Sequence, residues 1–112
     1  MIIGLDQANK AQAKKAWKFF KKLKTPFSIL WNDGPKLKKL DKELKGIDLA
    51  PKQMGKGRNV WYCIGMAIAR DEARSVALHD CDIKTYDRRL LAKLFYPVEN
   101  PLFNYEFCKG YY

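Results

Sequence analysis

The chain has 112 residues, 22 of them Lys or Arg against 12 Asp or Glu, for a net charge of +10, and 47% of its residues are apolar. That length and apolar share predict one folded domain over residues 1–112 and argue against intrinsic disorder. No apolar run nears the ~20 residues of a membrane helix, the first five residues are too short for a signal-peptide core, and three cysteines without a C-x-x-C pair fit no disulfide framework, so a cytoplasmic protein with reduced thiols is expected.

In chain order, the Ile-rich residues 1–5 predict a buried strand, and Asp6 is placed as the N-cap of a helix running to about residue 23. On that helix Lys10, Lys14, Lys18, Lys21 and Lys22 fall on one side at 100° per residue, with Ala13, Ala16, Trp17, Phe20 and Leu23 opposite. Residues 1–50 carry 12 basic and 5 acidic side chains, and most of the excess lies on this helix. Its lysine face reads as a solvated surface in preference to a nucleic-acid footprint, because it lacks arginine and aromatic residues.

Thr25-Pro26 ends the helix, residues 27–31 predict a second strand, and Asn32-Asp33-Gly34-Pro35 is a strong turn signal. Leu37, Leu40 and Leu44 mark a short helix that ends before Gly46. Residues 47–57 form a loop, and residues 58–70 a helix with Val60, Trp61, Ile64, Ala67 and Ile68 inward. Residues 75–79 predict a third strand that ends at Asp80-Cys81-Asp82, residues 88–95 a helix that stops near Pro97, and residues 104–108 a final strand. Alternating strands and helices predict a mostly parallel sheet with helices on both faces, and ligands then bind at the carboxyl ends of the strands.

The polar clusters sit at those ends. Asp80 and Asp82, two hard oxygen donors two residues apart, suit Mg²⁺ or Mn²⁺, which complete their shells with water and phosphate oxygens. Gly55-Lys56-Gly57 precedes a helix, where close backbone approach, a lysine charge and a helix N-terminus together suit a phosphate, although the P-loop spacing is absent. Cys63, His79, Cys81 and Cys108 lack structural-zinc spacing, and Cys81 with His79 is too cramped for a nucleophile and its base.

Four motifs taken together resemble the glucosyl-3-phosphoglycerate synthases, retaining sugar-nucleotide transferases of the GT-A fold related to the mannosylglycerate synthases. They are Gly55-Lys56-Gly57-Arg58-Asn59-Val60-Trp61; Ala77-Leu78-His79-Asp80-Cys81-Asp82-Ile83; Thr85-Tyr86-Asp87 with Phe95-Tyr96-Pro97; and Phe107-Cys108-Lys109-Gly110-Tyr111-Tyr112. The resemblance implies a partial GT-A, Rossmann-like nucleotide-sugar sheet, and transfer of glucose from UDP- or GDP-glucose to the 2-hydroxyl of 3-phosphoglycerate with retention. It implies that Asp82 is the main metal ligand, that Asp80 faces the ribose or the metal shell, and that Lys56, Asn32 and, more weakly, Asp6 contact the donor nucleotide. No side chain is singled out as a catalytic nucleophile.

The resemblance also implies an internal piece of a catalytic domain. The strand before residue 1, the acceptor-binding segment after Tyr112 and a further metal-binding histidine have no counterpart here, and His79 stands in the wrong place to replace that histidine. Weak donor binding without turnover is therefore expected, together with self-association through an exposed sheet edge. The competing reading is a non-catalytic binding module whose basic surface takes nucleic acid or another polyanion.

Overall fold

The computed structural model describes residues 1–110. Its elements run β1 (Ile2–Leu5), α1 (Lys10–Phe20), β2 (Ser28–Trp31), α2 (Pro35–Gly46), α3 (Lys56–Arg70) and α4 (Arg88–Glu99). The α/β reading and the parallel pairing hold. β1 and β2 pair in parallel with Ile2 opposite Ser28 and Leu5 opposite Trp31, so both strands end at the same level. The chain divides into two compact units, Met1–Asp71 and the part from Glu72 onward.

In the first unit α3 packs on β1. Gly4 permits the approach, because a Cβ there would run into the side chain of Asn59. Ile3, Ala8, Leu37 and Tyr62 are the buried apolar side chains of this unit. Among the described residues the sheet has two strands, not four. Residues 75–79 join no ladder. Val76 and Leu78, which the reading placed in a buried strand, are each 51% exposed. Residues 104–108 are not a strand either: Asn104 sits at φ 50°, outside extended backbone, and Phe107 is exposed.

The helices also correct the reading in detail. Asn9, not Asp6, caps α1: its Oδ1 accepts from the Gln12 backbone N–H (2.9 Å), and Gln12 Oε1 accepts from the Asn9 N–H (2.8 Å). Trp17 and Leu23 are exposed, and the Lys21 ammonium lies 4.8 Å from the Trp17 ring. α3 begins two residues early and is rotated, so that it buries Arg58 and Tyr62 and exposes Trp61 and Ile68. In the second unit α4 continues through Pro97 to Glu99. Proline offers no N–H to the Lys93 carbonyl, four residues back, and the Cys108 thiol approaches that oxygen at 4.0 Å.

Candidate functional site

Because β1 and β2 run in parallel and in register, Asp6 and Asn32 emerge side by side at their carboxyl ends. Asn32 is fully buried. Its Nδ2 donates to Asp6 Oδ1 (3.0 Å) and to Asn59 Oδ1 on α3 (3.1 Å), while its own Oδ1 is buried with no hydrogen-bond partner. The next two bonds tie the loop after β1 to the end of β2. Trp31 Nε1 donates to the Ala8 carbonyl (2.7 Å), and Asp33 Oδ2 accepts from the Ala8 N–H (3.0 Å). Gly34 completes the turn, since a Cβ there would stand 2.7 Å from the Trp31 ring that the Ala8 bond already fixes.

Asp6 is thus engaged by Asn32, which is why it does not cap α1. The structure brings Asp6 and Asn32 together and adds Asn59, Asp33 and Arg58, which the reading did not single out. Asn59 and Arg58 lie within the Gly55–Trp61 motif, so a signal was present. Asp41 and Tyr62 had none, because they come from different helices.

Behind this strand-end cluster lies a charged one. Tyr62 Oη donates to Asp41 Oδ1 (2.5 Å), Lys45 Nζ stands 2.8 Å from Asp41 Oδ2, and Arg58 Nε lies 3.9 Å from Asp41 Oδ1. Hydrogen bonds from Lys45 and Tyr62 hold the Asp41 carboxyl below its ordinary pKa. Burial, with the Asp41 bond second, pushes the Tyr62 hydroxyl up to about 12. Arg58 Nη2 reaches the Asn32 carbonyl at 3.3 Å, and Nη1 contacts the Met54 sulfur.

Lys56 is the first residue of α3 and is exposed. Gly55 before it sits at φ 107°, which side chains rarely adopt, and no side chain caps the helix. A glycine-entered, uncapped helix start followed by a lysine is chemically suited to an oxyanion.

Asp80 and Asp82 belong to the second unit. Asp80 is partly buried, and Asp82 lies exposed in a turn. His79 Nε2 is buried without a hydrogen-bond partner, and its ring meets Tyr86 edge-on at 5.3 Å. Asp87 caps α4, accepting from the Arg89 backbone N–H at 2.7 Å; that bond, with one from the Arg89 side chain, holds its carboxyl below the ordinary value. Among the described residues no three His, Cys, Asp or Glu side chains gather into a cation cage. Two carboxylates near an open turn nevertheless fit Mg²⁺ or Mn²⁺, which take one or two protein carboxylates and leave the rest of the shell to water and phosphate. Tyr111 and Tyr112 of the last motif lie outside the described residues. No helix among the described residues is long and apolar enough to cross a membrane.

No family model matches the chain. No solved structure matches it. Among curated proteins, it is 39% identical over all its 112 residues to a glucosyl-3-phosphoglycerate synthase of Persephonella marina. It is 40% identical, again along its whole length, to a glucosyl-3-phosphoglycerate synthase of Methanococcoides burtonii. The chain spans 28% of the length of each. The likeness carried by the four motifs therefore extends across the entire chain.

Proposed function

We propose that this chain carries donor-nucleotide and metal-holding residues of a glucosyl-3-phosphoglycerate synthase, which transfers glucose from UDP- or GDP-glucose to the 2-hydroxyl of 3-phosphoglycerate with retention. The observation that carries the reading is the 39–40% identity along the full chain to two proteins bearing that name. In this reading Lys56 and the α3 N-terminus hold the diphosphate. Asp6 faces the nucleoside, and the buried Asn32 fixes Asp6 through their 3.0 Å bond. Asp82, with Asp80, would hold Mg²⁺ or Mn²⁺, which when bound neutralises negative charge on the diphosphate leaving group. Spanning 28% of its relatives' length, the 112-residue chain by itself is proposed to bind donor without multiple turnover. β1 is paired on one side only among the described residues, which supports self-association of the isolated chain through its other edge.

The test is calorimetric titration of the purified chain with UDP and GDP, with and without Mn²⁺. Metal-dependent binding that disappears in Asp82→Ala is the expected result; metal-independent binding unaltered by that substitution rejects the reading. A second reading rests on the exposure of Lys10, Lys14 and Lys18 on α1 and of Lys21 and Lys22 just after it. It requires metal-independent binding of polyanions that weakens steeply with salt.

A further inference from the structure

The turn before α3 is built mostly from exposed residues. Residues 47–55 bring Ile47, Leu49 and Met54 to the surface, each at least 60% exposed. The loop lines a cavity of about 260 Å³ whose wall mixes charged Asp41, Lys45, Asp48, Lys52 and Arg58 with apolar Ala50, Pro51 and Met54. Gly55 at φ 107° lends the turn conformational freedom, and no side chain caps the helix that follows.

One side chain bridges the separate pieces. Arg58, 6% exposed, donates from Nη2 to the Asn32 carbonyl at the end of β2 and from Nη1 to the Met54 sulfur in the loop, while its Nε makes no hydrogen bond and lies at ion-pair distance, 3.9 Å, from the Asp41 carboxylate on α2. Asp41 is in turn fixed by Tyr62 and Lys45. A planar guanidinium spreads its N–H donors over three nitrogens and so can face these separated groups at once, whereas the three donors of a lysine all leave from a single nitrogen. Lys56 stands two residues earlier on the same helical turn. We infer that Arg58, ion-paired with Asp41, is a positioning residue for the Gly55-Lys56-Gly57 turn: it sets the register of Lys56 and the α3 N–H groups against the end of β2. This rests on the reading above that the turn takes the diphosphate of a nucleotide, and Arg58 itself makes no ligand contact.

Two variants test it, Arg58→Lys and Asp41→Asn, each read in two ways. By amide hydrogen exchange, Arg58→Lys is expected to accelerate residues 53–57 by about tenfold while β1 and α1 keep their protection. In calorimetry with Mn²⁺, it weakens UDP or GDP by about fivefold and leaves uridine or guanosine unchanged; in a Lys56→Ala background it causes no further loss, because the two residues act as one unit. Asp41→Asn follows the same pattern more weakly. Unchanged exchange at 53–57, or uniform acceleration throughout the first unit, overturns the positioning role. An additive loss in the Lys56→Ala background also overturns it, since Arg58 would then touch the ligand directly. If the unmodified chain binds no nucleoside diphosphate, the functional reading fails, and the exchange measurement alone still decides whether Arg58 holds the turn.

Discussion

The ends of β1 and β2 and the segment from Ser75 to Asp87 carry similar residues to different outcomes. At the strand ends Asp6, Asn32, Asp33 and Asn59 bond to the loop or to one another, and Asn32 is entirely enclosed. In the second unit an equally strand-like run, Ser75-Val76-Ala77-Leu78-His79, joins no sheet and ends in a turn where Asp82 is exposed. A β pattern states which face a residue prefers, but a strand exists only where a neighbouring edge completes its ladder. The polar residues of the first region therefore build the fold, and the carboxylate of the second remains available to a ligand.

The widest separation between the two regions is expected from removing one carboxylate in each. Asp41→Ala strands the Tyr62 hydroxyl and the Arg58 guanidinium in a buried setting and should destabilise the chain by about 2 kcal/mol in urea titration. Asp82→Ala should alter stability by less than about 0.5 kcal/mol, yet remove metal-dependent nucleotide binding. Acid sharpens the contrast. The Asp41 carboxyl lies below its ordinary 3.8 in the folded chain, so its contribution is full above that value and is lost as pH falls through the folded pKa. Tyr62 behaves in the opposite sense: its contribution is full below 10.0 and fades as pH rises towards about 12. Asp41→Asn should flatten the acid limb of a stability–pH curve.

This division also explains what could be read from residues alone. β1, β2, the turn at Asn32 and all four helices were legible, because apolar period and Pro or Gly punctuation are local signals. Asp6 and Asn32 were each readable as strand-end residues, but the hydrogen bond between them, which takes Asp6 away from the α1 cap, was not. The cluster of Asp41, Arg58 and Tyr62 was not legible: the period of α3 favoured burying Trp61 and Ile68, and tertiary contact with α2 turned the helix towards Arg58 and Tyr62 instead. The extension of α4 past Pro97 to Glu99 was not legible, because the Lys93 carbonyl that proline leaves unbonded meets Cys108, distant in sequence. Asp80, Asp82 and Lys56 were picked out by motif and placement, and ligand titration is their test.

Lys56→Ala asks whether the first region has any side chain reserved for a ligand. It is exposed at a helix start, so unfolding should barely change, while nucleoside diphosphate binding should weaken about tenfold relative to nucleoside binding. Equal weakening of both ligands would remove Lys56 from the phosphate role. Gly34→Ala probes the opposite property. Its new Cβ would press on a Trp31 ring that the Ala8 carbonyl holds in place, and the overpacking should cost about 1 kcal/mol with no preference for either ligand.

The smallest expected effect concerns helix ends, where both units use the same device. Asn9 caps α1 and Asp87 caps α4, each through a side-chain oxygen that accepts a backbone N–H. The α1 cap matters because that helix has no fully buried residue, and its first turn carries Lys10 and no acid, the wrong charge for the positive end of the dipole. Asn9→Ala removes the Oδ1 that accepts from the Gln12 N–H, leaving only the backbone N–H to Gln12 Oε1 half of the capping box, and should destabilise the first unit by about 1 kcal/mol, with faster amide exchange concentrated in the first turn of α1. Asn9→Asp keeps the acceptor for the Gln12 N–H and adds the negative charge that the turn lacks, so it should raise stability by about 0.3–1 kcal/mol at low salt and lose that gain as salt screens it. If Asn9→Asp were as destabilising as Asn9→Ala, the cap would depend on the amide itself and not on the oxygen that accepts the bond.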